Sequence, residues 1–251
     1  MECRLCKSSA DLVLDLGFHA PSDSFLTEED LGKPEKTYPL ELYYCETCGL
    51  VQIGYVVDKH ELFTQDYPYT TGINEGGIKH FHDFARSVIK DYAVDNTDFV
   101  VDVGGNDGTL LQPFFDIGCQ VLNVDPSGVE SSVPVWKAFW DMGTATAIRK
   151  RYGQARVILA TNCFAHVADL HDFIIGVDVL LADDGVFVVE SPCLEDMLKF
   201  KQFDQIYHEH LYYYNERPIK FLVEQYNMEL KGVKHNGMHG GSNRYFITKV
   251  H

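Results

Sequence analysis

The stretch IYHEHLYYY, residues 206–214, concentrates side chains that can handle protons. It holds two histidines, a glutamate and four tyrosines in nine positions. A histidine titrates near neutrality, which suits a general base. The stretch is therefore a candidate acid–base site, and an aromatic packing segment with polar tips in solvent is the alternative. If it forms a strand, His208 and His210 share a face and could also ligate a metal.

Two Cys-x-x-Cys pairs stand near the N-terminus, and they comprise Cys3, Cys6, Cys45 and Cys48. Each pair can hold one ion from a tight turn, and four thiolates complete a tetrahedral zinc site with no open position. The pattern predicts a structural zinc, because no βαβ context favours the alternative of a redox pair. Three further cysteines are interpreted as small buried residues: Cys119, Cys163 and Cys193.

Glycines in VVDVGGNDGTLL stand where a buried strand turns into a helix, so a cofactor could approach the backbone amides. The predicted contacts are Gly104, Gly105, Asn106, Asp107 and Gly108. The spacing is not the GxGxxG of dinucleotide-binding folds. Asp125, about twenty residues on, could accept both hydroxyls of a ribose. Since no lysine or arginine adjoins the loop, S-adenosylmethionine, which carries no phosphate, is favoured over NAD.

A later predicted strand leads into ATNCFAHVADLHDF. Residues just beyond the carboxyl end of a strand line the crevice of a doubly wound sheet. We therefore predict that Asn162 and Phe164 lie beside the cofactor and that His166 has a functional role, the alternative being an ordinary surface or capping histidine.

Periodicity indicates which elements position these residues. Residues 1–75 are predicted to form a small β-rich zinc-binding module, and residues 76–92 have the spacing of an amphipathic helix. From Phe99 onward, short apolar strands alternate with helices and end in an antiparallel pair. We predict an α/β fold, with a Rossmann-like, seven-strand S-adenosylmethionine methyltransferase domain over residues 76–251.

The composition excludes some functions. The 251 residues include 37 acidic and 21 basic side chains, a net charge of −16, and no basic stretch that would follow a nucleic-acid backbone. No apolar run reaches the length of a membrane span. The N-terminus MECRLCKSS lacks the layout of a signal peptide, so a reducing, cytoplasmic location is expected.

Several motifs together resemble the sugar C-methyltransferase family: the paired cysteines with YPLELYYCETCGLVQIG, GGNDGTLL, AHVADLHDF, VVESPCLEDML and FDQIYHEHLYYY. The resemblance runs through nearly the entire chain. It implies methylation of a carbon next to the ketone of a nucleoside-diphosphate 4-keto-deoxysugar. It also implies a C-terminal α/β domain that helps to hold the sugar nucleotide. The sequence stops at His251, so we expect that domain to be truncated, replaced or supplied by a separate chain.

The same resemblance implies roles for five residues. His210 would be the general base, and Glu209 would orient the substrate or the base. Tyr207 would donate to the substrate oxygen, Tyr69 of DYPYTTG would reach in from the N-terminal side, and His166 would assist from the cofactor strand.

Two other functions stay open. The acceptor could be an oxygen or nitrogen of a small metabolite. Alternatively, the zinc module could serve a binding protein that has a methyltransferase-like body and no turnover.

Overall fold

The computed structural model describes residues 1–23, 25–63 and 70–250. Its N-terminal part forms a four-stranded antiparallel sheet in the order β1-β2-β3-β9. The strands are β1 (Asp11–His19), β2 (Tyr38–Tyr44), β3 (Val51–Ile53) and β9 (Tyr212–Tyr213). The last of these comes from the stretch 206–214, so this stretch joins the two parts of the molecule.

Seven strands form the second sheet, as predicted, in the order β10-β11-β8-β7-β4-β5-β6. They are β4 (Phe99–Val103), β5 (Gln120–Val124), β6 (Val135–Trp136), β7 (Ala155–Thr161), β8 (Leu181–Pro192), β10 (Met228–Asn236) and β11 (Ser242–Lys249). β4 to β8 run parallel, whereas β11 is antiparallel to β8 and β10 is antiparallel to β11. The predicted closing antiparallel pair is confirmed.

Helices cover this sheet: α2 (Glu75–Asp91), α3 (Gln112–Asp116), α4 (Met142–Tyr152), α5 (Leu170–Leu180), α6 (Leu194–Phe200) and α7 (Glu216–Glu224). A short α1 (Lys59–Leu62) follows β3. The predicted amphipathic helix is α2, which the Asn74 side chain caps by accepting from the Gly77 amide. Among the described residues, no helix combines the length and apolar character needed to cross a membrane.

The course of the chain through the sheet creates a crevice. From β4 the chain passes to β5 and β6 on one side, and it then returns to form β7 and β8 on the other side. Side chains of β4 are buried along its whole length, because helices cover both faces. Ligands bind at such a reversal, beyond the carboxyl ends of the strands. The loops after β4, β5 and β7 are therefore the expected position of a ligand site.

A buried ionic network joins α2 to the antiparallel end of this sheet. Glu190, fully buried, accepts from Arg244 at 2.9 and 2.6 Å, from Asn236 at 3.0 Å, and pairs with His80 at 2.6 Å. The Arg244 guanidinium also lies 3.4 Å from the ring centre of Phe84. These contacts fix β8, β10 and β11 against the helix.

Arg244→Met is expected to lower the free energy of unfolding by about 2 kcal/mol. This is below the usual cost of breaking a buried ion pair, because His80 and Asn236 still bond the Glu190 carboxylate. Lys79→Met, which removes the exposed partner of Asp83, should cost less than about 0.5 kcal/mol. Urea unfolding of the two variants measures the difference, and equal losses would contradict a stabilising role for the buried network.

Candidate active site

A cavity of about 1070 Å³ lies at the predicted crevice. The loops after β4, β5 and β7 form one side, and residues 55–63 of the N-terminal part form another. The turn before β9 contributes Tyr207 and His210, and the loop between β10 and β11 contributes His239. The volume is sufficient for a nucleoside cofactor together with part of a second small molecule.

Glycines after β4 bring the backbone to the cavity wall. Gly104 has a φ of +68°, and a Cβ there would lie 2.7 Å from the Cβ of Cys163. A Cβ on Gly105 would lie 2.7 Å from side-chain oxygens of Asn123 and Asp102. Both positions therefore require glycine, which lets the backbone lie against the cavity. The Gly104 amide donates to the Val124 carbonyl at 2.8 Å and the Gly105 amide donates to Oδ1 of Asn123 at 3.1 Å, so both amides are bonded within the protein.

Asp125, just after β5, is held so that its carboxylate lines the cavity. One oxygen accepts from the Asn106 amide at 2.9 Å, and the other accepts from the Ser127 amide at 2.8 Å. Each oxygen keeps a lone pair. The two carboxylate oxygens can therefore accept hydrogen bonds from two hydroxyl groups, as binding of a ribose would require.

Three buried side-chain oxygens in this region have no hydrogen-bond partner among the described residues: Oδ1 of Asp102, Oγ1 of Thr161 and Oδ1 of Asn162. All three residues line the cavity. Burial, and then the charges of Asp125 and Asp107, raise the pKa of Asp102 to about 8. Buried polar atoms without a hydrogen-bond partner indicate that a polar ligand bonds to them. Asp102 was not predicted as a site residue, although an acid in the apolar strand FVVDV was a usable signal.

Asp102→Asn is expected to flatten the dependence of stability on pH. The unfolded carboxyl ionises near 3.8, whereas the folded one keeps its proton up to about pH 8. The unfolded state thus binds fewer protons in this window, so stability falls as pH rises through it. Between pH 5 and pH 7 the ligand-free protein should lose about 2–3 kcal/mol through this group, and the variant should not.

Urea unfolding at the two pH values measures this difference. The control is Asp116→Asn, at an exposed carboxyl in α3. If Asp102→Asn and the control show the same slope, Asp102 titrates normally.

The catalytic end of the cavity centres on His210. Its Nδ1 donates to the Gln205 carbonyl at 3.0 Å, since a carbonyl can only accept. Nε2 therefore carries the lone pair and accepts from the Tyr207 hydroxyl at 2.7 Å. Burial, reinforced by His239, lowers the pKa of His210 to about 4. At neutral pH the ring is uncharged and Nε2 is ready to accept a proton.

His166 lies beside this pair, at the predicted strand end. Its ring stacks on His210 with a centroid distance of 5.2 Å and on Phe63 at 5.5 Å. Burial, and secondarily His210, lower the pKa of His166 well below its ordinary value. Its Nε2 is buried without a partner among the described residues, so a ligand hydroxyl or carbonyl could complete it through a hydrogen bond.

The other histidine, the glutamate and the other tyrosines of the stretch 206–214 lie outside the cavity lining. Residues 206–210 form turns rather than a strand, so the idea of a metal held by His208 and His210 on one strand face is wrong. His208 packs edge-on against Tyr38 of β2, at 5.9 Å. Glu209 accepts from Ser22 at 3.3 Å and is not part of the cavity lining. The tyrosines at 212, 213 and 214 are buried packing residues.

Other predicted residues divide between the cavity and its surroundings. Asn106 and Asn162 line it. Asp107 points away and accepts from the Gly72 amide at 2.7 Å, Gly108 packs against Val133, and Phe164 lies in the core. Tyr69 lies outside the described residues.

Some residues that line the cavity were not predicted from the sequence. Phe139, Trp140 and Asp141 follow β6, the edge strand next to β5. Lys59 and His60 come from α1 in the N-terminal part. Residues 139–141 could have been predicted, because residues just beyond the carboxyl end of a strand line the crevice. Lys59 and His60 reach the cavity only because the two parts of the protein pack together.

The four predicted zinc ligands converge. The Sγ atoms of Cys3, Cys6, Cys45 and Cys48 all lie within 4.8 Å of one another, and all four thiols are free. This donor set fits a tetrahedral zinc ion that has no open position.

Both cysteine turns are bonded to the larger part of the protein. His171 pairs with the Leu5 carbonyl at 2.8 Å. Arg217 donates to the carbonyls of Glu46 and Thr47 at 2.7 and 3.0 Å. The zinc cluster therefore anchors the wall that residues 55–63 contribute to the cavity.

Comparison with protein families gives two matches. A model described as a zinc binding domain matches residues 3–63, and one described as a methyltransferase domain matches residues 79–231. Among curated proteins, C-methyltransferase NovU from Streptomyces niveus is 32% identical over 248 residues, which is 96% of this chain. The chain spans 59% of the length of that relative.

Solved structures share the fold of the larger part. Magnesium protoporphyrin IX methyltransferase from Synechocystis PCC 6803, with bound SAH, gives a TM-score of 0.51 at 12% identity, over 69% of this chain and 84% of that one. An S-adenosylmethionine-dependent methyltransferase from Clostridium acetobutylicum ATCC 824 gives 0.51 at 12% identity, over 69% and 92%. The predicted Rossmann-like methyltransferase fold is confirmed.

The seven-strand sheet, the glycine loop with Asp125 and the four-cysteine cluster agree with these matches. Because the methyltransferase-domain model covers more than half of the sequence, the chain belongs to the methyltransferase family and carries an N-terminal zinc-binding domain.

Proposed function

We propose that this protein transfers a methyl group from S-adenosylmethionine to a carbon next to a ketone, on a nucleotide-linked keto-deoxysugar. One observation carries the proposal: the His210–Tyr207 pair and the glycine loop with Asp125 line the same cavity. The similarity to C-methyltransferase NovU supports carbon as the acceptor.

Residues of the strand ends would hold the cofactor. Asp125 would accept the ribose hydroxyls, and the backbone at Gly104 and Gly105, which carries no Cβ, would let the amino-acid portion approach closely. Asp102 and Asn162 offer unpaired oxygens that suit its ammonium group. When bound, S-adenosylmethionine supplies an electrophilic methyl group.

Proton removal would fall to His210. Its Nε2 takes the proton from the carbon next to the ketone, and the hydrogen bond from Nδ1 to the Gln205 carbonyl keeps the ring oriented. The low pKa in the ligand-free cavity keeps Nε2 unprotonated. As negative charge develops on the substrate oxygen beside the ring, that charge raises the pKa of His210 and favours the transfer.

Stabilisation of the enolate oxygen would come from neighbouring donors. The Tyr207 hydroxyl, which donates to His210 in the ligand-free protein, turns to the substrate oxygen when the substrate enters. His166 donates from the stacked position if its unpartnered Nε2 carries the hydrogen. Tyr69 would be a further donor, whereas Glu209, which lies outside the cavity lining, would act on the substrate only through neighbouring residues.

The charge of the cavity bears on how a nucleotide sugar would bind. Its described lining has one lysine, Lys59, and seven aspartates: Asp23, Asp58, Asp102, Asp125, Asp141, Asp169 and Asp172. Such a lining repels a diphosphate. We propose that the keto sugar enters the cavity while the nucleotide is held by residues beyond these 251, in a C-terminal domain or a separate chain.

The thiolates of the zinc site suit a reducing, cytoplasmic setting.

The test combines binding and turnover. Calorimetry with S-adenosylhomocysteine is followed by incubation with methyl-¹³C cofactor and a thymidine-diphosphate 4-keto-deoxysugar, and NMR then identifies the atom that carries the label. A new carbon–carbon bond supports the proposal. A label on oxygen or nitrogen would indicate the alternative acceptor class. Turnover of small ketones but not of the nucleotide sugar would place nucleotide binding outside these residues, whereas cofactor binding without turnover of either would indicate a non-catalytic role.

A further inference from the structure

We propose that Cys193, Asp196 and His235 form a second zinc site, separate from the four-cysteine cluster and from the cavity lining. The ligand atoms of the three residues all lie within 4.8 Å of one another. They come from three places in the fold: the end of β8, the first turn of α6, and β10. A sulfur, a carboxylate and an imidazole are ligands that zinc accepts in proteins.

The carboxylate in this cluster occupies a place that the backbone leaves open. A Cβ on Gly241 would lie 2.0 Å from an oxygen of Asp196, and Gly241 has a φ of +128°. The Gly241 carbonyl also accepts from the Cys193 amide at 2.9 Å. The loop between β10 and β11 is therefore shaped around the Asp196 side chain, which pairs with Nε2 of His235 at 2.5 Å.

The sulfur is placed for ligation rather than for packing alone. Cys193 is 4% exposed, and its Sγ accepts from Nδ2 of Asn243 at 3.4 Å, a donor that would support a thiolate. Its thiol donates to the Glu195 carboxylate at 3.2 Å. Binding of zinc replaces this thiol hydrogen, which leaves to solvent as a proton, and Glu195 or a water fills the fourth position.

A zinc ion here would join α6 to the β10–β11 loop. His239, in that loop, has a φ of +51° and lines the cavity. Metal binding would therefore fix one wall of the cavity from outside, without contact with the groups that line it. The zinc site does not rest on the proposed function.

The experiment uses the full chain, purified with zinc and analysed by mass spectrometry for metal content. We expect two zinc ions per chain. A competing chelator should remove one first, because three protein ligands hold zinc less tightly than four thiolates. Titration of zinc back into this protein, against a chromophoric competitor, gives the affinity of the second site.

Substitution of the proposed ligands shows whether these residues bind the second zinc ion. Cys193→Ser and His235→Asn should each weaken its affinity by more than about 100-fold, since loss of a direct ligand exceeds the usual effect of its outer hydrogen-bond partners. The matched controls, Cys119→Ser and His82→Asn, should keep two ions. Circular dichroism checks folding, and the exposed His235 decides the question if the buried Cys193 variant does not fold.

Two results would overturn the proposal. The first is a single zinc ion per chain at saturating zinc, with the four-cysteine site filled. The second is a second ion that both ligand variants retain with unchanged affinity, which would mean adventitious binding elsewhere on the surface.

Discussion

His210→Asn is expected to lower the rate of methyl transfer about 1000-fold and to leave the affinity for S-adenosylhomocysteine within about twofold. General base catalysis typically contributes between about 10² and 10⁴ in rate. Asparagine keeps a side chain of similar polarity but cannot remove a proton. His210 contacts Tyr207 and Gln205 rather than the glycine loop, so cofactor binding should be unaffected.

The measurement separates proton removal from methyl transfer. In heavy water without cofactor, the intact protein should exchange the hydrogen next to the ketone of a thymidine-diphosphate 4-keto-deoxysugar for deuterium, and the His210 variant should not. Tyr207→Phe removes the donor but keeps the base, so it should retain exchange at a reduced rate. His82→Asn, at a half-buried position of α2 outside the cavity lining, is the control. Exchange at the normal rate in His210→Asn would assign the base to another residue.

The sequence predicted the parts of this fold that local patterns determine. Buried parallel strands such as Phe99–Val103 carry continuous β-branched residues, and α2 carries the helical period. The metal turns are local too, because each Cys-x-x-Cys pair is complete within four residues. Because residues beyond the carboxyl ends of parallel strands lie at one edge of the sheet, Asp125, Asn162 and His166 were correctly predicted to lie there.

The remainder of the site depends on contacts between distant segments. The turn that holds Tyr207 and His210 forms because Gln205 and β9 fix both of its sides. The spacing within IYHEHLYYY does not distinguish His208 from His210, and only the family resemblance favoured His210. Likewise, residues 55–63 reach the cavity only because the zinc module docks on the larger part. Asp107 and Gly108 belong to the predicted loop, but Asp107 accepts from the Gly72 amide and Gly108 packs against Val133, so neither lines the cavity.

Asp125→Ala is expected to weaken S-adenosylhomocysteine binding by between about 10² and 10⁴. A hydrogen bond to a charged group contributes about 1.5–3 kcal/mol, and the carboxylate would accept from two ribose hydroxyls. The residue also accepts from the amides of Asn106 and Ser127, so part of the loss would come from disorder of the loop.

A ligand lacking one hydroxyl separates these two contributions. The intact protein should bind the 2′-deoxyadenosyl analogue of S-adenosylhomocysteine at least about tenfold more weakly than the parent, because one charge-assisted bond is lost. Asp125→Ala should bind the two ligands almost equally, since it no longer contacts either hydroxyl. Asp116→Ala, at an exposed acid of α3, should behave as the intact protein. Equal discrimination in the intact protein and in Asp125→Ala would show that the ribose lies elsewhere, and the assignment of this strand end to the cofactor would then fail.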